Sequence, residues 1–195
     1  MKTNFLNLTN MKTIKLFALP MLFVALFASC SSDDDAPAPI NPEEVITNVT
    51  VTFTNTADGN DVITLTAVSA DGIVAPTLNM PSAFTAGATY NATIAITDEV
   101  NNENILEEVV EEKDEHFFVY ATTANFTVTR AATDEVRTDG ESLGLNTTWT
   151  AGAAGSGTLT VQLVHEPDTV SDDGGLGSAT GGEFDIDNTW NVTIQ

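Results

Sequence analysis

Apolar and polar residues alternate with a period of two along most of the chain from Val45 to Gln195. Val49, Val51 and Phe53 are separated by threonines, and this run ends at the turn Asp58-Gly59-Asn60. Such alternation is typical of strands with one buried and one solvated face. The same pattern recurs in Ile63, Leu65 and Ala67; in Tyr90, Ala92, Ile94 and Ile96; in Leu145, Thr147 and Trp149; in Leu159, Val161, Leu163 and His165; and in Phe184, Ile186, Trp190, Val192 and Ile194, with Glu183, Asp185, Asp187, Asn191 and Thr193 opposite them.

These runs predict the fold class. There are about eight of them, they are rich in threonine, and Gly- and Asp-containing turns separate them. The roughly 150 residues of 45–195 suffice for one domain with its own core. We therefore expect an all-β domain, an antiparallel β-sandwich of immunoglobulin-like architecture.

One segment departs from the period of two. Residues 104–115 place Ile105, Leu106, Val109 and Val110 at helical spacing among acidic residues. This spacing predicts a short, acidic, amphipathic helix, or an irregular crossover between sheets, that leads directly into a strand at His116.

The N-terminal segment has the features of a secretory signal. Lys12 and Lys15 precede an apolar run from Leu16 to Ala28, which is too short for a membrane-spanning helix of roughly 20 apolar residues. We predict a signal peptide at 1–29, in which 1–10 is an upstream extension because Met11 begins a compact signal of its own. Residues 30–44, rich in Asp and Pro, are predicted to be an extended tether before the domain at 45–195.

The charge of the chain limits its partners. It has 28 acidic and 6 basic residues, and three of the basic residues but none of the acidic ones precede Cys30, so the chain from Cys30 onwards has a formal net charge of −25. Such a field repels nucleic acids and anionic lipid surfaces, and it attracts cations. Cys30 is the single cysteine, so once it is acylated no disulfide or thiolate metal site remains.

The two histidines are the main candidates for chemistry. His116 follows Glu115 at the start of a predicted strand, and His165 precedes Glu166 at the end of another. If both strands end at the same pole, these four residues form a ligand set for Zn²⁺, Cu²⁺ or iron. Alternatively, each histidine is a residue at the edge of the core that bonds to a nearby carboxylate or carbonyl. The apolar face before His165 predicts that it is buried, and the acids before His116 predict that it lies near water.

Other sites have weaker patterns. The sequence has no zinc-protease, nucleophile-elbow or phosphate-loop motif, so a non-enzymatic protein is expected, with no cofactor except a possible metal ion. The acidic loop 134–141 is a poor Ca²⁺ loop because Arg137 occupies a ligand position. Trp149 and Trp190 lie on apolar faces, which favours core packing over sugar stacking.

Several segments carry a resemblance to bacterial lipoproteins. Cys30 after Phe27-Ala28-Ser29 resembles a lipobox, which implies acylation of Cys30. The tract Ser32, Asp33, Asp34 and Asp35 resembles the export signal that sends Bacteroidetes lipoproteins to the cell surface. Asp168-Thr169-Val170 resembles a short O-glycosylation acceptor, which implies a sugar on Thr169.

Taken together, the chain is similar to a family of small flavobacterial outer-membrane lipoproteins of unassigned function, some of which are named as periplasmic-binding-fold proteins. The segments that carry the similarity, besides the lipobox and Ser-Asp-Asp-Asp start, are 114–118, 139–145, 163–167 and 181–187. The resemblance implies a non-enzymatic surface lipoprotein, anchored in the outer membrane, that binds a ligand or serves a TonB-dependent receptor. A transition-metal-binding protein and a structural envelope component are the alternatives.

Overall fold

The computed structural model describes residues 45–80 and 82–195. The predicted signal peptide (1–29), the tether (30–44), the lipidation site Cys30 and the export signal Ser32, Asp33, Asp34 and Asp35 all lie outside the described residues. The described residues belong to one compact unit, Glu43–Gln195. No helix within 45–80 or 82–195 has the length and apolarity that a membrane crossing requires.

Strands dominate the described residues. They are β1 (Asn48–Asn55), β2 (Val62–Val68), β3 (Thr77–Asn79), β4 (Thr89–Thr97), β5 (His116–Thr122), β6 (Phe126–Arg130), β7 (Asn146–Ala151), β8 (Gly155–His165), β9 (Thr169–Ser171), β10 (Ser178–Thr180) and β11 (Glu183–Ile194). A single α-helix among these residues, α1 (Ile105–Glu111), connects β4 to β5, and a 3-10 helix (Asp173–Gly175) lies between β9 and β10.

The strands form antiparallel sheets, which confirms the all-β prediction. One sheet has the order β3-β2-β1-β4-β7-β6, a second has the order β11-β8-β5, and β10 and β9 form a two-stranded ribbon. The described residues thus form eleven strands where about eight are predicted. Strands β3, β9 and β10 have only three residues each, which is too short for a period-two pattern to stand out.

The two larger sheets pack face to face around an aromatic core. The ring of Trp149 on β7 lies 5.7 Å from that of Tyr120 on β5, edge to face. Trp190 on β11 donates its indole N–H to the carbonyl oxygen of Thr66 on β2 at 3.0 Å. Both tryptophans are at most 2% exposed, so they are core residues and form no sugar-stacking platform.

The predicted alternation holds in most strands. Val49, Val51 and Phe53 on β1 are at most 2% exposed, and the threonines between them are half-buried. Helix α1 also agrees with its prediction, because Ile105 and Val109 are buried against the core while its acidic residues face outwards.

The first residues of β11 depart from the predicted alternation. The register shifts between Phe184, which pairs with Val164, and Ile186, which pairs with Leu163, so Asp185 is an extra residue in a β-bulge. The placement of Phe184 on the core face is therefore wrong, since it is 59% exposed while Ile186 is 3% exposed. The placement of Asp185 on the solvent face is also wrong, because its side chain is 11% exposed.

Candidate metal centre

The two histidines face each other across neighbouring strands. In the antiparallel pair β5–β8, His116 is directly opposite His165. Their rings are stacked, with centroids 4.8 Å apart and planes inclined by 9°. Directly opposed residues of an antiparallel pair have neighbouring side chains on the same face, so strand register brings together two residues that are 49 positions apart in the sequence.

The β-bulge adds a carboxylate to this pair. Asp185 Oδ2 lies 3.8 Å from Nε2 of His116, and Asp185 Oδ1 lies 3.9 Å from Nδ1 of His165. One oxygen of the carboxylate thus faces each ring. We call His116, His165 and Asp185 the inner group; one ligand atom from each lies within 4.8 Å of the others.

A glycine turn permits this approach of β11. Gly182, directly before β11, has a φ of +75°, which favours glycine. A Cβ at this position would collide with the carbonyl oxygen of His165 and would lie 2.9 Å from the side chain of Val164. The turn therefore holds the start of β11 close to the end of β8.

The order of burial of the two histidines is the reverse of the prediction, because His116 is the more deeply buried of the two. His116 is fully buried, whereas the side chain of His165 is 18% exposed. The acids before His116 do not hold it near water, because the chain after α1 folds over its ring. Its Nδ1 lies 3.2 Å from the carbonyl oxygen of Glu112, and the guanidinium of Arg137 donates to the carbonyl oxygens of Lys113 and His116.

The contact between His116 and Glu112 also determines which nitrogen of the His116 ring carries a proton. A carbonyl oxygen can only accept, so Nδ1 of His116 is the donor to Glu112. In the neutral ring, Nε2 then carries the lone pair, and this is the atom that faces Asp185. Metal-binding histidines commonly donate their other ring N–H to a carbonyl in this way.

The two predicted glutamate ligands lie beside the inner group, at the surface. One carboxylate oxygen each of Glu115 and Glu166 and one ring nitrogen of His165 lie within 4.8 Å of one another, and we call these residues the outer group. The backbone joins them, since the amide of Glu166 donates to the carbonyl oxygen of Glu115 at 2.6 Å. Both glutamates are exposed.

The acidic loop between β6 and β7 uses its carboxylates for its own structure. Asp134 accepts the amide hydrogens of Gly144 at 2.6 Å and Asn146 at 2.8 Å, and burial raises the pKa of Asp134 although these bonds and Arg130 oppose the rise. Asp139 accepts from Arg137 at 3.0 Å. These contacts occupy carboxylates that a calcium ion would need, which argues against a calcium site in this loop.

Thr169, the predicted glycosylation site, is an exposed residue at the start of β9. Its hydroxyl lies 2.6 Å from the hydroxyl of Thr180 on β10. Thr169 therefore lies in the two-stranded ribbon, outside the two larger sheets. Its glycosylation stays a prediction.

Comparisons with known proteins identify no relative. No protein-family model, no curated protein and no solved structure matches the chain. The function of the protein is therefore inferred from the geometry of the inner and outer groups and from the sequence.

Proposed function

We propose that this protein binds a transition-metal ion at the inner group. The observation that supports the proposal is the convergence of His116, His165 and Asp185, from three adjacent strands, on one point at the end of the sandwich. Two imidazoles and a carboxylate are a ligand set suited to Zn²⁺, Cu²⁺ or Fe²⁺.

The distances within the inner group are close to those that an ion requires. Two atoms that each bind one ion at about 2.0–2.1 Å are at most about 4.2 Å apart. The contacts of Asp185 with the two rings, at 3.8 and 3.9 Å, satisfy this limit. They are too long for hydrogen bonds. One ring nitrogen of each histidine lies within 4.8 Å of the other, so binding of one ion by all three ligands requires only a small approach of the two rings.

The second ring nitrogen of His165, which is not the atom that faces Asp185, also supports the proposal. This atom, Nε2, is buried and makes no hydrogen bond with any described residue. Buried polar atoms normally have a partner, and one that does not points to a bound ion or water. The acidic surface of the protein, with 28 acidic and 6 basic residues in the chain, attracts the cation to the site.

The sequence supports a location for this activity. The predicted anchor at Cys30 and the acidic tract at 32–35 favour a lipoprotein on the outer face of the outer membrane. A metal-binding domain tethered there would suit an accessory role beside a TonB-dependent receptor.

A variant that cannot be acylated tests the location. We expect Cys30→Ala to leave the membrane fraction and to lose label from a fatty-acid analogue, because this residue is the predicted attachment point. Retention of the unlabelled variant in the membrane would contradict a lipid anchor. A Ser31→Ala variant, which keeps the cysteine, is the control and should remain labelled.

Thermal unfolding of residues 31–195 with added metal tests the proposed function. Zn²⁺ or Cu²⁺ at a hundredfold excess over Kd should stabilise the protein by about 2.7 kcal/mol. His165→Ala should abolish this shift, whereas Glu183→Gln, which alters the β11 residue paired with His165 but leaves the ligands intact, should retain it. Identical melting curves with and without metal would instead indicate that the histidines have only a structural role.

A further inference from the structure

The inner and outer groups share one side chain. His165 belongs to both, with His116 and Asp185 on one side and Glu115 and Glu166 on the other. The inner residues are largely buried, whereas both glutamates are exposed. The ring of His165 therefore connects a buried ligand set to one at the surface.

Burial indicates the side from which an ion reaches the inner group. His116 is fully buried, and the side chains of Asp185 and His165 are 11% and 18% exposed. His165 is thus the most accessible of the three ligands. The exposed carboxylates of Glu115 and Glu166 lie beside it, so an ion that approaches His165 meets them first.

The two groups differ in the chemistry they offer. Exposed carboxylates attract a hydrated divalent cation without a large desolvation cost, and imidazole nitrogens then replace its water molecules with stronger bonds to zinc or copper. The ring of His165 is suited to an exchange between the groups, because its buried Nε2 makes no hydrogen bond with a described residue that rotation would break.

We infer that Glu115 and Glu166, with His165, form a capture position from which the ion passes to His116 and Asp185. This inference rests on the proposed function, since it requires that the inner group binds metal. In this scheme, the two glutamates increase the rate of metal binding but are not ligands of the bound ion.

Stopped-flow binding of Co²⁺ to residues 31–195, followed by its visible absorption, tests the inference. We expect the double variant Glu115→Gln/Glu166→Gln to bind about tenfold more slowly at low ionic strength. Dissociation should slow by a similar factor, so that Kd changes less than threefold. The spectrum and the ratio of one ion per chain should stay those of the unmodified protein.

The control removes two charges outside both groups. Glu99→Gln/Glu103→Gln, in the loop between β4 and α1, should bind at nearly the unmodified rate. Equal slowing in both double variants would overturn the capture position in favour of the general field of the protein. For the Glu115→Gln/Glu166→Gln variant, an unchanged binding rate, an altered spectrum or two ions per chain would overturn the capture position as well. A lack of Co²⁺ binding by the unmodified protein, together with no stabilisation by Zn²⁺ or Cu²⁺, would instead refute the proposed function.

Discussion

Gly144→Ala is expected to lower the free energy of unfolding by about 3 kcal/mol, through positive-φ strain of about 1–2 kcal/mol and overpacking of about 1–3 kcal/mol. Gly144 has a φ of +104°, and a Cβ there would collide with the guanidinium of Arg130 and lie 2.9 Å from Cβ of Phe118. Arg130 cannot easily move, because it donates to the carbonyl oxygens of Phe118 at 2.7 Å and Ser142 at 3.1 Å. These bonds hold the β6–β7 loop against the edge of β5, two residues from His116.

Gly140 provides a matched control in the same loop. Its φ is +96°, but no heavy atom lies within 4 Å of its Cβ position. Gly140→Ala should therefore show only the strain of the backbone, about 1–2 kcal/mol. Urea unfolding of both variants measures the difference. Equal losses would show that Arg130 can move aside and that the close packing around Gly144 contributes little to stability.

Asp185→Asn is expected to weaken metal binding by about a hundredfold or more, since loss of a mere supporting residue near a metal typically costs 10–100-fold. The substitution keeps the shape of the side chain and removes the negative charge that faces both imidazoles. Isothermal titration of Zn²⁺ into residues 31–195 measures the change. The free energy of unfolding without metal should be determined in parallel, because it separates loss of a ligand from loss of the fold.

Asp187→Asn is the control for this substitution. Asp187 lies two residues further along β11, is exposed, and accepts a hydrogen bond from the Gln162 amide at 3.1 Å. It carries the same charge but belongs to neither ligand group. We expect its variant to bind Zn²⁺ with nearly unchanged affinity. Equal weakening in both variants would mean that Asp185 acts only through the net charge of the protein.

The fold class could be predicted because burial in a sheet leaves a period of two in the sequence. In β1, the valines and Phe53 face the core and the threonines between them face outwards, so the sequence alone indicates the strand and its orientation. The three-residue strand β3 leaves no such pattern, because its residues are all exposed. The immunoglobulin-like part of the prediction remains untested.

The candidate site could be predicted only in part. The scarcity of histidine makes His116 and His165 candidates, but their pairing depends on the register of β5 against β8, which no local pattern determines. Asp185 was missed because strict alternation assigns it to the solvent face. Only the bulge between Phe184 and Ile186 turns it inwards, and the paired glycines at 181 and 182 before β11 were the available signal for irregular backbone.

The most direct test of the metal proposal is an anomalous difference map from a crystal of residues 31–195 grown with Zn²⁺, recorded at the zinc absorption edge. We expect one peak about 2.0–2.2 Å from a ring nitrogen of His116, a ring nitrogen of His165 and a carboxylate oxygen of Asp185. A map without a peak at the inner group, with the two imidazole rings still stacked 4.8 Å apart, would contradict it.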